Sequence, residues 1–233
     1  MKTSVFLDFV RLVVDGDEDE VSRRLNASPV LAAMPSPVGA SRQEAKPFFF
    51  KAIRHYLYAG DTALHMAAAA FCRPIAELLV SHGADCRAKN RRGAEPLHYA
   101  ADANRWAPLA QADVIAYLTS IGADANALDK SGVAPLHRAV RTRSLPAVRA
   151  LLDNGANPRQ ANKSGSTPLH LAVQPTGRGG SGSDEARRQQ AQIIRLLLER
   201  GAKPTDKDAR GKQVHHAATS AWIRALLSEA TSG

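Results

Sequence analysis

The sequence predicts an all-α solenoid in which pairs of short antiparallel helices stack on one another through β-turn or hairpin connectors. A nine-residue motif recurs five times, and its opening glycines are Gly60, Gly93, Gly132, Gly165 and Gly211. A Gly-Ala pair precedes four of these glycines by ten residues, at Gly83, Gly122, Gly155 and Gly201. Because a short helix pair cannot bury its apolar side alone, this repetition indicates one elongated stack.

Each unit is expected to place two helices after its opening glycine. In the second unit the pattern predicts a short helix over residues 97–101 and another helix over 114–120. The glycine of each Gly-Ala pair is typical of a left-handed helix cap. Small residues seven places after the opening glycines are predicted to be buried where adjacent helices approach closely: Ala67, Ala100, Ala139, Ala172 and Ala218.

The copies GAEPLHYAA, GVAPLHRAV and GSTPLHLAV resemble the ankyrin repeat, whose motif is T-P-L-H-x-A with a period of 33. The intervals from Gly60 to Gly93 and from Gly132 to Gly165 both equal that period. The chain departs from the motif at Ala63, which replaces proline, at Glu95 and Ala134, which replace threonine, and over residues 212–215. The resemblance implies an ankyrin-repeat solenoid that binds other proteins.

These positions predict the following organisation: a degenerate helical N-terminal cap and linker over residues 1–59, an ankyrin repeat over 60–92, a repeat with an insertion over 93–131, a repeat over 132–164, a repeat with a Gly/Ser-rich insertion (175–190) over 165–210, and a truncated C-terminal capping repeat over 211–233. Within the cap, residues 9–16 and 21–25 suggest a helix pair, and the acidic run 17–20 favours the start of the second helix. Residues 35–47 read as a linker, and the apolar residues of 48–57 predict another helix.

The charge distribution, the apolar runs and the cysteine content indicate where the protein is located. The net charge is +9, and the whole excess lies in residues 132–233, with 16 basic and 7 acidic residues. The charges of Asp8 and Arg11 interrupt the N-terminal apolar run, which argues against a secretory signal, and no run approaches the roughly 20 apolar residues of a membrane span. With only Cys72 and Cys86, we expect a monomer in a reducing cytoplasm. The excess of 22 arginines over 9 lysines suggests a bacterial origin.

Recurrent histidines favour structure over metal binding. His65, His98, His137, His170 and His216 hold one equivalent position in successive units. Packed helices lie about 8 to 10 Å apart, whereas zinc requires ligand nitrogens at about 2.0 to 2.1 Å. We therefore expect structural hydrogen bonding, which agrees with the role of this histidine in the family, and neither a metal nor a cofactor.

The sequence offers no catalytic apparatus, and we expect a protein that is not an enzyme. The run GRGGSG at 177–182 satisfies G-x-G-x-x-G but lacks the preceding strand of a dinucleotide site, so a flexible Gly/Ser linker is the better interpretation. Asp61, Asp85 and Asp124 stand at helix starts or turns, where capping explains them. Trp106, in the first insertion, either packs against the helices or anchors a partner.

The family resemblance places partner contacts on the connector tips and on the exposed side of the first helix of each unit. Carried over by position, the predicted contact residues are Met66, Arg91, Arg92, Tyr99, Asp102, Lys130, Val133, Arg138, Arg141, Thr142, Lys163, Ser166 and Gln174. Because the tips are mainly basic, we expect a partner protein with an acidic surface, although solvated arginines with no partner are the competing interpretation. Two alternatives remain: polyanion or nucleic-acid binding through the basic C-terminal half, and export as a bacterial effector that acts on host proteins.

Overall fold

A computed structural model describes residues 3–102, 107–175 and 182–229 of the chain. Its helices are α1 (Thr3–Asp15), α2 (Glu18–Ala27), α3 (Val30–Ala33), α4 (Ala63–Ala70), α5 (Arg73–Ser81), α6 (Pro96–Ala100), α7 (Pro108–Ser120), α8 (Pro135–Thr142), α9 (Leu145–Asp153), α10 (Pro168–Ala172), α11 (Asp184–Glu199), α12 (Val214–Ala217) and α13 (Ala221–Glu229). A 3₁₀ helix (Lys46–Phe48) leads into strands β1 (Phe49–Phe50) and β2 (His55–Tyr56). Trp106 and most of the 177–182 glycine run lie outside the described residues.

The repeated Leu-His segments lie in one row, which confirms the predicted solenoid. The first helices of successive units contact one another in the order α4, α6, α8, α10 and α12, and α5, α7, α9 and α11 form a second row behind them. The alanines seven places after each opening glycine are 0 to 3% exposed, as predicted. A methyl group at this position lets neighbouring helix backbones approach, so a single apolar core runs through the stack.

The first helices of the chain close the N-terminal end of this core. Helix α1 packs on α4, and α2 packs on α5. The carboxylate of Asp17 accepts a hydrogen bond from the Glu20 N–H at 3.0 Å and begins α2, and three acidic residues occupy the first helical turn. The acidic run therefore has the predicted helix-starting role.

The prediction of a helix over residues 48–57 is wrong. This segment forms an antiparallel hairpin, in which Phe49 pairs with Tyr56 and Phe50 with His55. Its turn places Arg54 at a φ of 50°, in the left-handed region. The physical reason is the alternation after the turn, since Leu57 is fully buried while Tyr56 and Tyr58 on either side of it are partly exposed. A period of two with aromatic residues favours an extended chain.

Each connector is organised by an Asn or Asp three residues before the opening glycine. Its Oδ1 accepts backbone N–H bonds from the residues two and four places later, at 2.8 to 3.1 Å. The four residues are Asn90, Asp129, Asn162 and Asp208. This repeated turn holds each tip in the same shape, because the side chain satisfies donors that the turn would otherwise expose.

Neighbouring connectors also bond to each other through their backbones. The N–H groups of Arg91, Lys130, Lys163 and Ala209 donate to carbonyls of the preceding connector at 2.8 to 3.2 Å. At Gly165, where φ is 73°, a Cβ atom would lie 2.2 Å from the Ala209 nitrogen. Glycine is therefore required there both by the backbone conformation and by the closeness of the next connector.

The two units with insertions each contain a buried glutamine that makes the same kind of hydrogen bonds. Gln111 on α7 and Gln190 on α11 are buried, and each Nε2 donates to two carbonyls at the end of the unit's first helix, at 2.7 to 3.0 Å. These amides satisfy backbone acceptors that the end of a helix leaves unpaired. The inserted residues therefore leave the packing of α6 on α7 and of α10 on α11 in place.

Replacing Gly165 with alanine tests the close stacking of connectors, and Gly201 provides the matched control. Gly201 has a similar φ of 95°, but a Cβ atom there would meet nothing within 4 Å. We expect Gly201→Ala to lower the free energy of unfolding by about 1 kcal/mol through backbone strain, and Gly165→Ala by about 2 to 4 kcal/mol because the connectors must separate. Urea unfolding measures both, and equal losses would contradict the close approach.

Candidate partner-binding surface

Four of the recurrent histidines occupy the same buried environment and join successive units. Their Nδ1 atoms accept the backbone N–H three residues earlier at 3.1 to 3.2 Å, so the proton resides on Nε2. The Nε2–H then donates to a carbonyl of the next connector at 3.0 to 3.3 Å. The donor and acceptor pairs are His65 to Ala94, His98 to Val133, His137 to Ser166 and His170 to Lys212. These imidazoles have the structural role that the sequence predicts.

His216 differs, and the prediction of the same role for it is wrong. Its side chain is exposed, and α12 is only four residues long before Ala218 turns to an extended conformation. In the described part of the chain no further connector follows that would accept its Nε2–H. The ring instead lies 5.9 Å from that of His215, edge to face.

Burial controls protonation along the histidine row. Desolvation lowers the pKa of His65 and His137 below the ordinary value and lowers the pKa of His98 to about 4. Protonation would also turn Nδ1 into a donor, and it could then no longer accept the backbone N–H that points at it. Burial raises the pKa of Glu95, which stands where the motif has threonine. Within the described residues its buried Oε2 has no hydrogen-bond partner.

The predicted contact residues divide by exposure. Those that are exposed lie on the connector tips and at the ends of the first helices: Arg91, Arg92, Lys130, Arg141, Lys163 and Gln174. Those that are partly buried are Asp102, Val133, Arg138, Thr142 and Ser166. The tips therefore carry an accessible row of cations that runs across three successive connectors.

Met66 and Tyr99 are not on this surface, and the prediction that they are exposed is wrong. Met66 is fully buried and Tyr99 is 2% exposed. The N-terminal segment covers them, because α1 and α3 pack against α4 and the His55 ring lies 4.5 Å from the ring of Tyr99. The concave face of the first two units is thus occupied by the chain itself.

Arg138 is a bridge between two carboxylates rather than a free cation of the face. Its guanidinium contacts Asp102 and Asp129 at 3.2 Å each, and its side chain is only 12% exposed. Burial raises the pKa of Asp129, but hydrogen bonds from the Val133 and Ser131 N–H groups and from Arg138 lower it by more. The single positive charge of Arg138 is therefore shared between two carboxylates and is not available as a free cation.

A buried carboxylate network lies beneath the hairpin and is centred on Asp61, for which the sequence predicted a capping role. Asp61 is fully buried and accepts the Tyr58 N–H at 2.6 Å, the Asn90 Nδ2–H at 2.8 Å and the Tyr99 hydroxyl at 2.8 Å. Desolvation raises the pKa of Tyr99 well above its ordinary value, so the hydroxyl remains a donor. The network fixes the hairpin segment to the first connector.

Above this network is a cleft of about 210 Å³ between the hairpin and the first connector, with further walls from the end of α6 and from α8. The hairpin side supplies Arg54, His55, Tyr56 and Tyr58, and the connector side supplies Arg92. The Arg92 guanidinium carbon lies 3.9 Å from the centroid of the Tyr58 ring, in a cation–π contact. Sequence reasoning missed the hairpin residues because it assigned them to a helix, although the alternation around Leu57 was a signal for a strand.

The helix pairs, the shared imidazole bonds and the repeated tips define a repeat solenoid, a class of protein that presents an extended surface. The chain matches the family model for ankyrin repeats (three copies) over residues 45–129 and 106–208, and it belongs to the ankyrin-repeat family. Comparison with curated proteins finds no match. Ankyrin repeats are generally protein–protein interaction modules and are typically non-catalytic.

Membrane insertion and metal binding are two further classes of function on which the described residues bear. None of the helices there has both the length and the apolar character needed to cross a membrane. Residues 3–102, 107–175 and 182–229 contain no group of three or more His, Cys, Asp or Glu side chains arranged to hold a metal ion.

The histidine row predicts that acidification weakens the fold. Because the pKa of His98 falls from 6.5 unfolded to about 4 folded, its contribution is complete above pH 6.5 and is lost as the pH falls towards 4. We expect His98 alone to lower the free energy of unfolding by about 2 to 3 kcal/mol between pH 7.5 and 4.5. Urea unfolding at the two pH values measures this loss.

A Glu95→Gln variant serves as the control for this measurement. The raised pKa of Glu95 acts in the opposite sense, since a carboxyl whose pKa is higher in the folded than in the unfolded state stabilises the fold as the pH falls. Removing this carboxyl should make the loss on acidification larger. A free energy of unfolding that is unchanged or higher at pH 4.5 in both proteins would contradict neutral capping imidazoles.

Proposed function

We propose that the chain is a non-catalytic adaptor or inhibitor that binds a partner protein with an acidic surface through its connector tips. The observation that supports this is the row of exposed cations Arg91, Arg92, Lys130 and Lys163, carried by consecutive connectors. Those connectors are joined by backbone hydrogen bonds, so the charges are held at fixed relative positions before any partner binds. Binding then costs little ordering of the surface.

Four buried histidines, the buried Asp61 and the largely buried Arg138 have structural partners, which supports a binding function over catalysis. Four imidazoles are bonded at both ring nitrogens, Asp61 accepts bonds from three residues, and Arg138 holds two carboxylates. A catalytic base needs a free position beside a reacting group. We propose that the protein acts as a monomer in the cytoplasm.

Polyanion binding through the C-terminal half has less support from the structure. Arg187 and Arg188 lie beside Trp222 at a hollow on α11, but both form ion pairs with acidic residues of the same helix, Asp184 and Glu185. These pairs reduce the charge that would be available to phosphates. The ion pairs of the described residues include none of Arg91, Arg92, Lys130 or Lys163, so the connector tips are the better candidate for recognition.

Charge reversal at the tips tests the proposed function. A variant with Lys130→Glu, Lys163→Glu and Arg141→Glu should lose the partner, since three reversed exposed charges together weaken binding by about tenfold or more. The matched control reverses Arg149, Arg195 and Lys203, which are exposed on the outer helices or just beyond them and change the net charge equally. Quantitative affinity purification compares the two variants with the parent chain.

The expected result is a polypeptide that the parent and the control both recover and the tip variant does not. Recovery of the same polypeptide by all three proteins, or recovery of no specific polypeptide by the parent, would count against the proposal. Loss of binding in the control alone would place recognition on the outer helices instead.

A further inference from the structure

The cleft at the hairpin continues into a second hollow, and the two together form what we call the arginine groove. The second hollow has a volume of about 280 Å³ and shares Tyr56, Tyr58 and Arg92 with the first. One wall comes from the N-terminal segment, which lies outside the five sequence copies, and the other wall comes from the first connector. The groove therefore belongs to this end of the solenoid.

The lining of the arginine groove is strongly basic. Its arginines are Arg42, Arg54, Arg91, Arg92 and Arg138, and its one acidic lining residue is Asp102. Arg138 is held by Asp102 and Asp129, and the Asp61 carboxylate beneath is fully buried. The ion pairs found among the described residues include none that involves Arg42, Arg54 or Arg92. Positive charge therefore remains on the rim.

The position of Arg92 suits recognition of a planar anion. Its guanidinium lies over the Tyr58 ring at 3.9 Å, and the guanidinium of Arg91 lies 5.7 Å from the same ring. Stacking on one face leaves the N–H groups at the edge of the guanidinium directed away from the ring. An arginine held in this way can form two parallel bonds to a carboxylate with little loss of side-chain freedom.

The aromatic rings of the groove are already engaged, which decides between two kinds of polyanion. The Tyr56 ring packs at 4.8 Å from Phe49, the Tyr58 ring contacts Arg92, and the His55 ring lies 4.5 Å from Tyr99. Single-stranded nucleic acids bind by stacking bases on free aromatic faces as well as by phosphate contacts. Each of these rings already has a ring or guanidinium neighbour, which leaves less aromatic surface for bases than the arginines offer to anions, and this favours the carboxylates of a peptide.

We infer that the arginine groove binds an acidic segment of a partner protein, with a carboxylate seated between Arg54 and Arg92. This inference rests on the proposed function, to which it adds a specific binding site and the chemistry of its occupant. The site differs from the row of tips that the sequence predicts, because half of it comes from the hairpin. The connector cations would then contact the partner beyond the anchored segment.

Binding of a fluorescent hexaglutamate peptide to the full chain tests the inference. At low salt the parent should bind this peptide saturably, and a hexaglutamine peptide should not bind. Arg54→Ala and Arg92→Ala should each weaken binding about tenfold, the expected loss of one charge-assisted hydrogen-bonding group. Arg149→Ala removes the same charge from the outer helix α9 and should leave the affinity within about twofold. Fluorescence anisotropy gives the dissociation constants.

The Arg92→Lys variant distinguishes a loss of affinity caused by the missing contact from a loss caused by damage to the fold. It keeps the charge but not the planar donor pair, so it should bind more weakly than the parent and more tightly than Arg92→Ala. Thermal unfolding checks that each variant remains folded. The inference is overturned if the parent does not bind hexaglutamate, if Arg149→Ala weakens binding as much as Arg92→Ala, or if an oligothymidine displaces the peptide at lower concentration than unlabelled hexaglutamate does.

Failure of this test is distinguishable from failure of the proposed function. If the affinity for hexaglutamate does not depend on Arg54 and Arg92, the groove is excluded as the binding site. If partner recovery still depends on Lys130, Lys163 and Arg141, the proposed function of the tip surface is retained. If neither measurement shows the expected dependence, both are excluded.

Discussion

The stack depends on a neutral imidazole that is bonded on both sides. In each of the four full units the ring accepts the N–H at the start of its own helix and donates to the next connector, as His137 does between Ala134 and Ser166. This single side chain caps one helix and fixes the position of the following unit. Its bonds span units only because the alanine beside it lets the helices approach and the opening glycines let the connectors do so.

The N-terminal segment gives this repeating scaffold its individual surface. In a uniform stack the first concave positions would be open, but here α1 and α3 pack against α4, which carries Met66, and the His55 ring of the hairpin lies against Tyr99. The hairpin segment is fixed through the buried Asp61 carboxylate. What remains accessible at that end is a groove whose walls are tyrosines and arginines. Rigid connectors then extend the basic surface along the rest of the molecule. The proposed partner is acidic for the same reason at both places, since each presents several guanidinium or ammonium groups on an accessible surface.

The sequence was informative wherever a pattern repeats. Five glycine-led copies predict the row of helices, the buried alanines and the capping histidines, because equivalent positions in a solenoid have equivalent surroundings. The Asn or Asp at 90, 129, 162 and 208 repeats just as regularly and was predictable from its fixed distance to the glycine. The buried glutamines of the two longer units were not, since they respond to the geometry of the insertions.

Prediction failed where the chain does not repeat, and also at the end of the row, where His216 is exposed. A short apolar run such as 48–57 fits a helix or a strand equally well, and only tertiary packing decides between them. The same failure propagated to the site, because exposure at Met66, Tyr99 and Arg138 was carried over from positions that have no hairpin above them. Hairpin residues such as His55 and Tyr58 were for that reason absent from the predicted surface. The boundaries of the repeats remain predictions.

Hydrogen exchange of a His137→Leu variant tests most directly whether the imidazole couples neighbouring units. If it does, exchange should accelerate in α8 and also in the next connector and α10, where no residue is changed. The control substitution His216→Leu, at an exposed position, should leave exchange unchanged. Mass spectrometry of peptic fragments resolves these segments. Acceleration that stays within α8, with α10 as protected as in the parent, would contradict the account.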